Sequence, residues 1–183
     1  MAAATLPRIF AALRRFYGAP ARATIRDPFR LILWEQVGYL ATDAQRKVAF
    51  DALRNQVGLE PADIAAAPHA TLRAVTRLGG AIAADVRANR LRQSAELVLR
   101  KWNGDLGEAL RLPYPKARKA MAEFAMIGEP GADKILVFAG TARLLPLDSN
   151  GLRVLNRIGL ISADKNYSRM YRRAQEVLAP SLP

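Results

Sequence analysis

The sequence contains no cysteine. That absence removes disulfides, thiol nucleophiles and cysteine-held zinc or iron–sulfur clusters from consideration. A single histidine, His69, leaves a zinc site short of ligands, and its place after Pro68 at an expected helix start reads as a cap or surface residue. Long apolar runs are missing too, because Arg or Lys interrupts each one before the ~20 residues a bilayer-crossing helix needs. Acidic residues are scarce: 16 Asp and Glu stand against 28 Lys and Arg, a formal charge of +12. Such a balance draws a protein to phosphate polymers or an anionic membrane surface. The basic residues run along the whole chain, which favours a folded positive face over a disordered arm and puts nucleic acid ahead of membrane.

Apolar residues make up 51% of the 183 positions, enough for a real core in one domain or two closely packed halves. They recur at helical spacing, as in Leu31, Trp34, Val37 and Leu40, or Leu91, Ala95, Leu97 and Val98. Alternating strand-like runs are nearly absent, and there is no internal repeat or low-complexity segment. Gly and Pro punctuation predicts helices over 6–17, 27–40, 43–57, 61–66, 69–78, 82–102, 116–125, 132–139 and 149–158, with a last one near 167–177. The expected fold is all-α and compact. Arg8, Arg14, Arg15, Arg22 and Arg26 precede the first acid, Asp27, so a transit peptide has to be weighed. Without serine enrichment or a long apolar stretch, that segment reads as a mature helix.

The informative stretch runs from Phe124 through Gly128, Pro130 and Gly131 to Leu136, a turn between two amphipathic helices. Gly128 and Gly131 can take positive φ and let the backbone approach another molecule closely. The unpaired N–H groups opening the next helix can then hold a phosphate without reading a base, with Lys134 adding a point charge. Taken alone, this segment reads rather as an ordinary αα-turn with a glycine cap. Beyond it comes Leu147-Asp-Ser-Asn-Gly-Leu-Arg-Val-Leu-Asn-Arg157, with Asp148 at a helix start.

Together, the two segments resemble the helix-hairpin-helix (HhH-GPD), endonuclease III-like DNA glycosylase superfamily. Asp148, Ser149, Asn150, Arg153, Val154, Asn156 and Arg157 match its motif after the hairpin. The Asp27-Pro-Phe helix ending at Gln36 is similar to the family's early helix, whose glutamine fills space left in the duplex. The resemblance spans about 27–180.

It implies a two-lobed all-α fold: an N-terminal helix and connector over 1–26, then a glycosylase domain over 27–183 with its hairpin at about 116–139. It further implies a base-excision repair enzyme acting on double-stranded DNA with a damaged base. Asp148 would be the catalytic carboxylate, stabilising positive charge on the sugar as the glycosidic bond breaks. Gly128, Gly131, Lys134, Gln36 and Arg153 would bind DNA. Bifunctional relatives hold a nucleophilic lysine where Pro130 stands, so hydrolysis by water without strand cleavage is expected, with Lys134 one turn on as the other amine within reach. Met126 replaces the first glycine of the usual hairpin, and the four-cysteine cluster loop is missing, so no metal or cofactor is implied. Trp34, Tyr39 and Phe138 are pocket candidates or core aromatics. Glu35 is a solvated carboxylate or a proton donor to the leaving base. A soluble cytoplasmic monomer is expected, nucleoid-associated in a prokaryote and without a membrane partner. The competing reading is a non-catalytic duplex-DNA-binding module in which Asp148 only caps its helix.

Overall fold

The computed structural model describes residues 5–21 and 23–182; of the expected N-terminal segment 1–26, residues 1–4 and 22 lie outside this range. Among the described residues the regular elements are all helical: α1 (Leu6–Tyr17), α2 (Pro28–Val37), α3 (Asp43–Gln56), α4 (Pro61–Ala66), α5 (His69–Leu78), α6 (Ala84–Trp102), α7 (Tyr114–Ala122), α8 (Glu129–Ala139), α9 (Ser149–Arg157) and α10 (Tyr167–Leu178), with short 3-10 turns after α6 and α10.

Local chemistry sets most starts. The Asp27 carboxylate accepts from the Arg30 N–H at 2.8 Å and Pro28 occupies the first helical position of α2. A reciprocal capping box between Thr42 and Gln45 opens α3. Three starts differ by two residues or more from expectation, among them α7, which opens at Tyr114 and not Lys116. Ala83 sits at φ +52, outside the helical well, so α6 begins at Ala84 and not Ile82. Pro130 and Gly131, which read as turn residues, lie inside the first turn of α8, where a proline's missing N–H would have had no partner anyway.

The core falls into two clusters. The larger gathers α2 to α8 around Ile32, Leu33, Leu53, Leu72, Leu91, Met121, Ile135 and Leu136, all at most 1% exposed. Burial of each contributes roughly 2 kcal/mol. Down α6, Ala88, Leu91, Ala95 and Val98 recur every three or four residues, and the two alanines let α2, α4 and α5 pack closely. The smaller cluster joins both ends of the chain: Leu6 of α1 packs with Leu152 and Leu155 of α9 and with Tyr171, Ala174 and Leu178 of α10. The N-terminal helix, set apart from the glycosylase domain in the sequence reading, shares this second lobe with the C-terminal helices.

A buried carboxylate ties the lobes together. Asp133 on α8, 1% exposed, accepts from Tyr114 Oη at 2.7 Å and Arg118 Nε at 2.9 Å, both on α7, and from Tyr171 Oη of α10 at 2.7 Å. A buried charge is tolerable only when paired and hydrogen-bonded, as it is here. Through this node α10 is held against the hairpin.

Candidate active site and nucleic-acid interface

The hairpin consists of α7, a turn over 123–128, and α8. Its one left-handed residue is Met126, at φ +71. Gly128 has φ −80 and Gly131 is helical, so neither glycine supplies the positive φ expected of it. Their service is steric. A Cβ at Gly128 would meet only Pro130 Cδ, at 3.9 Å, so the backbone at the helix N-terminus is open to a visitor. Gly131 lines a cleft beside Pro130, and a Cβ on it would meet Ile127 Cγ2 at 3.4 Å.

That cleft, about 390 Å3, lies between the lobes. Glu35 of α2 lines it, with Pro130, Gly131 and Lys134 of α8, Pro146, Leu147, Asp148 and Gly151 around the start of α9, and Tyr167 of α10. Asp148 is the N-cap of α9, one carboxylate oxygen accepting from the Gly151 N–H at 2.8 Å. A carboxylate has two oxygens and several lone-pair sites, so capping and work in the cleft are compatible. Tyr167 donates to the Leu147 carbonyl at 3.4 Å; burial first, and then the nearby Asp148 charge, raises its pKa above the ordinary phenol value.

Lys134, expected as a phosphate contact, turns into the cleft: its ammonium lies 2.6 Å from Glu35 Oε1. The other Glu35 oxygen is 4.0 Å from Arg46 Nη1. Glu35, read as a solvated carboxylate or a proton donor, is therefore faced by a cation on each side. Arg153 is exposed on α9, donating to Asn150 Oδ1 at 2.7 Å.

Gln36 is where the structure departs most from expectation. As a wedge it should reach solvent, yet it is 2% exposed, donating to the Ala125 carbonyl and accepting from Ser94 Oγ, each at 3.0 Å. Four residues after Ile32 and three after Leu33, it continues their buried stripe. It braces the hairpin turn against α2 and α6. Because α2 ends at Val37, the exposed loop begins beyond Gln36, and Leu40 stands there 78% exposed at φ +47. Tyr39 and Met126 line a small neighbouring cleft with Glu35 and Gln36. Buried Arg87 secures this loop by donating to the carbonyls of Val37, Gly79 and Gly80.

Of the other aromatics, Trp34 packs edge-on against Phe50 in the core, with ring centroids 5.4 Å apart, and Phe138 is 40% exposed outside the cleft. Tyr167, Pro146 and Arg87 were not singled out from sequence. Only Tyr167 left a signal, as an aromatic heading the amphipathic last helix. A larger groove of about 870 Å3 runs along α1, lined by Phe10, Leu13, Arg14, Arg15 and Tyr17, without a carboxylate among its lining residues.

No family model matches the chain. Over 143 residues it is 26% identical to an endonuclease III of Sulfolobus acidocaldarius, a match spanning 78% of this chain and 61% of that protein. Among solved structures, a trapped endonuclease III–DNA covalent intermediate superposes with a TM-score of 0.74 at 20% identity, covering 98% of this chain and 79% of the other. A 3-methyladenine DNA glycosylase of H. pylori bound to 1,N6-ethenoadenine gives 0.73 at 18%, covering 95% and 82%. A thermostable thymine-DNA glycosylase gives 0.71 at 18%, covering 93% and 77%. The architecture is thus the two-lobed, all-α fold of the endonuclease III-like glycosylases. The chain shares this fold, and its sequence is similar to that of an endonuclease III over about three fifths of that protein's length.

Proposed function

We propose that the protein is a base-excision DNA N-glycosylase that hydrolyses the bond between a flipped-out damaged base and its sugar, with Asp148 as the essential carboxylate. The observation that carries this reading is the placement of Asp148 at the start of α9 in an inter-lobe cleft shared with Glu35 and Lys134. As the C1′–N bond breaks, positive charge builds on the sugar, and a fixed carboxylate stabilises it. The same group orients the attacking water and accepts its proton.

Pro130 occupies the wall where bifunctional relatives carry lysine, and proline has no nucleophile. The reaction then ends at an abasic site, with the strand intact. None of the 183 residues is a cysteine, so this chain has no thiolate for a cluster. The partner is duplex DNA. Backbone N–H groups at the open N-terminus of α8 and Arg153 on α9 serve as sequence-independent grips. With Gln36 in the interior, the wedge into the vacated base stack passes to Leu40, an apolar tip in a loop braced by Arg87.

The test uses duplexes with single lesions (7-methylguanine, uracil, hypoxanthine, 8-oxoguanine, mismatched adenine), followed by alkali to reveal abasic sites. Alkali-dependent breaks that disappear in Asp148→Asn, while duplex affinity stays similar, are expected. The Gly151 hydrogen bond favours one alternative, in which Asp148 is a cap only and the protein a DNA-binding module. Tight binding without base release from any duplex would establish that reading instead.

A further inference from the structure

The cleft contains two charged groups that hydrolysis by Asp148 leaves without a task, the Lys134 ammonium and the Glu35 carboxylate paired with it. Resting on the glycosylase reading, we infer that Lys134 is the proton donor to the departing base, held in aim by Glu35, and that the site is built for neutral lesions whose departure requires a proton.

Three observations lead there. Lys134 is on the helix that opens the cleft, and its Nζ turns inward to Glu35 Oε1 at 2.6 Å. Glu35 receives that cation on one oxygen and faces Arg46 at 4.0 Å with the other. It therefore acts as a holder of cations at the cleft wall. Finally, the Tyr167 hydroxyl is directed to the Leu147 carbonyl, at 3.4 Å. Among the cleft side chains this leaves Lys134 as the proton source, because an ammonium has three N–H groups and Glu35 uses one, while ionised carboxylates only accept.

The chemistry separates two classes of lesion. A purine alkylated at N3 or N7 is already cationic and leaves as a neutral molecule once the C1′–N pair collapses onto its ring. A neutral base would leave as an anion. In the proposed step the C1′–N bond breaks with its electron pair moving to the base, and a Lys134 N–H proton passes to a ring nitrogen or carbonyl oxygen of that base. The cationic sugar is stabilised by Asp148; water adds to C1′, and its proton goes by way of Asp148 to solvent. Solvent water then returns a proton to the Lys134 amine. The sum is hydrolysis, with no further reactant.

Single-turnover release from duplexes carrying hypoxanthine, uracil or 7-methylguanine tests the inference with wild type, Lys134→Met and Lys134→Arg. Arginine keeps a cation opposite Glu35 but does not surrender a proton. Both variants should lose about a hundredfold or more on the neutral bases, a typical loss for an acid catalyst, and by a much smaller factor on 7-methylguanine. Rescue of the neutral bases by Lys134→Arg would show that charge alone suffices and overturn the inference. So would equal losses on all three bases, wild-type activity confined to 7-methylguanine, or a borohydride-trapped adduct that disappears in Lys134→Arg. A wild type that binds duplex and releases nothing would instead refute the glycosylase reading on which the inference rests.

Discussion

Tyr171 Oη donates to Asp133 Oδ2 at 2.7 Å, a buried contact that joins the C-terminal helix to the second helix of the hairpin. Asp133, one residue before Lys134, takes two further bonds from α7, so a single carboxylate sets the spacing of three helices. Tyr171→Phe keeps the packing volume but leaves Asp133 one donor short. Unfolding free energy should drop by about 1–3 kcal/mol, read from urea midpoints, because a buried acceptor loses a partner that water cannot replace.

The same node makes stability depend on alkaline pH. Burial first, and then the hydrogen bond to Asp133, pushes the Tyr114 phenol up to about 12, and the same causes hold Tyr171 well above the ordinary value. In the unfolded chain a tyrosine titrates near about 10. Between these values the native state keeps protons that the unfolded chain has lost, so stability is full below about pH 10 and falls as pH rises toward 12. Urea midpoints at pH 8, 10 and 11 should decline, and the decline should be shallower in Tyr114→Phe. An equal slope in that variant would mean that other groups govern the alkaline limb.

Gly79 marks the closest backbone approach among the described glycines. A Cβ there would lie 2.3 Å from the Val37 carbonyl oxygen and 2.9 Å from Gly38 Cα, both backbone atoms with little room to yield. Gly79 also accepts from the Tyr39 N–H at 3.1 Å and from Arg87. Gly79→Ala should therefore cost about 3 kcal/mol or more and move the Leu40 tip. A melting temperature within a degree or two of wild type would show that the two loops are not locked together.

Legibility in the sequence followed the range of the interaction. The start of α3 was readable because the capping box of Thr42 and Gln45 lies within four residues. The Asp148 motif, likewise a local run of residues, placed that carboxylate at a helix start, where the structure has it. The α8 boundary was misread because Pro130 and Gly131 suit a turn as well as a first helical turn. No local cue marked Ala83 as left-handed or placed Gln36 inside, since its partners Ser94 and Ala125 come from other helices. The reach of Lys134 toward the level of Pro130 followed from helix geometry. Its partner Glu35 did not, because α2 and α8 meet only in the folded chain.

Met126 carries the hairpin's positive φ without a glycine's freedom, and its side chain is 56% exposed. A left-handed non-glycine residue costs about 1–2 kcal/mol. Met126→Gly should relieve part of that at little loss of packing and raise the melting temperature by a few degrees. A lower melting temperature would mean that the Met126 side chain contributes more contact energy than its backbone loses.

Pro130 offers a gain-of-function test of the water mechanism. It lines the cleft with Asp148 in the first turn of α8, so a lysine there would bring a second amine to the cleft, one turn before Lys134. The positive end of the α8 dipole and the neighbouring Lys134 ammonium would both favour the unprotonated, attacking form of that amine. Attack on C1′ would expel the base and form a Schiff base to the opened sugar, which borohydride reduces to a stable protein–DNA adduct. Pro130→Lys should therefore give a trapped adduct and strand breaks without alkali on whichever lesion the wild type releases. Wild type should give neither, and Asp148→Asn in the Pro130→Lys background should abolish both, because the expulsion step still needs the carboxylate. Adduct formation by wild type would replace the water mechanism with an amine already present in the cleft, and Lys134 would be its source.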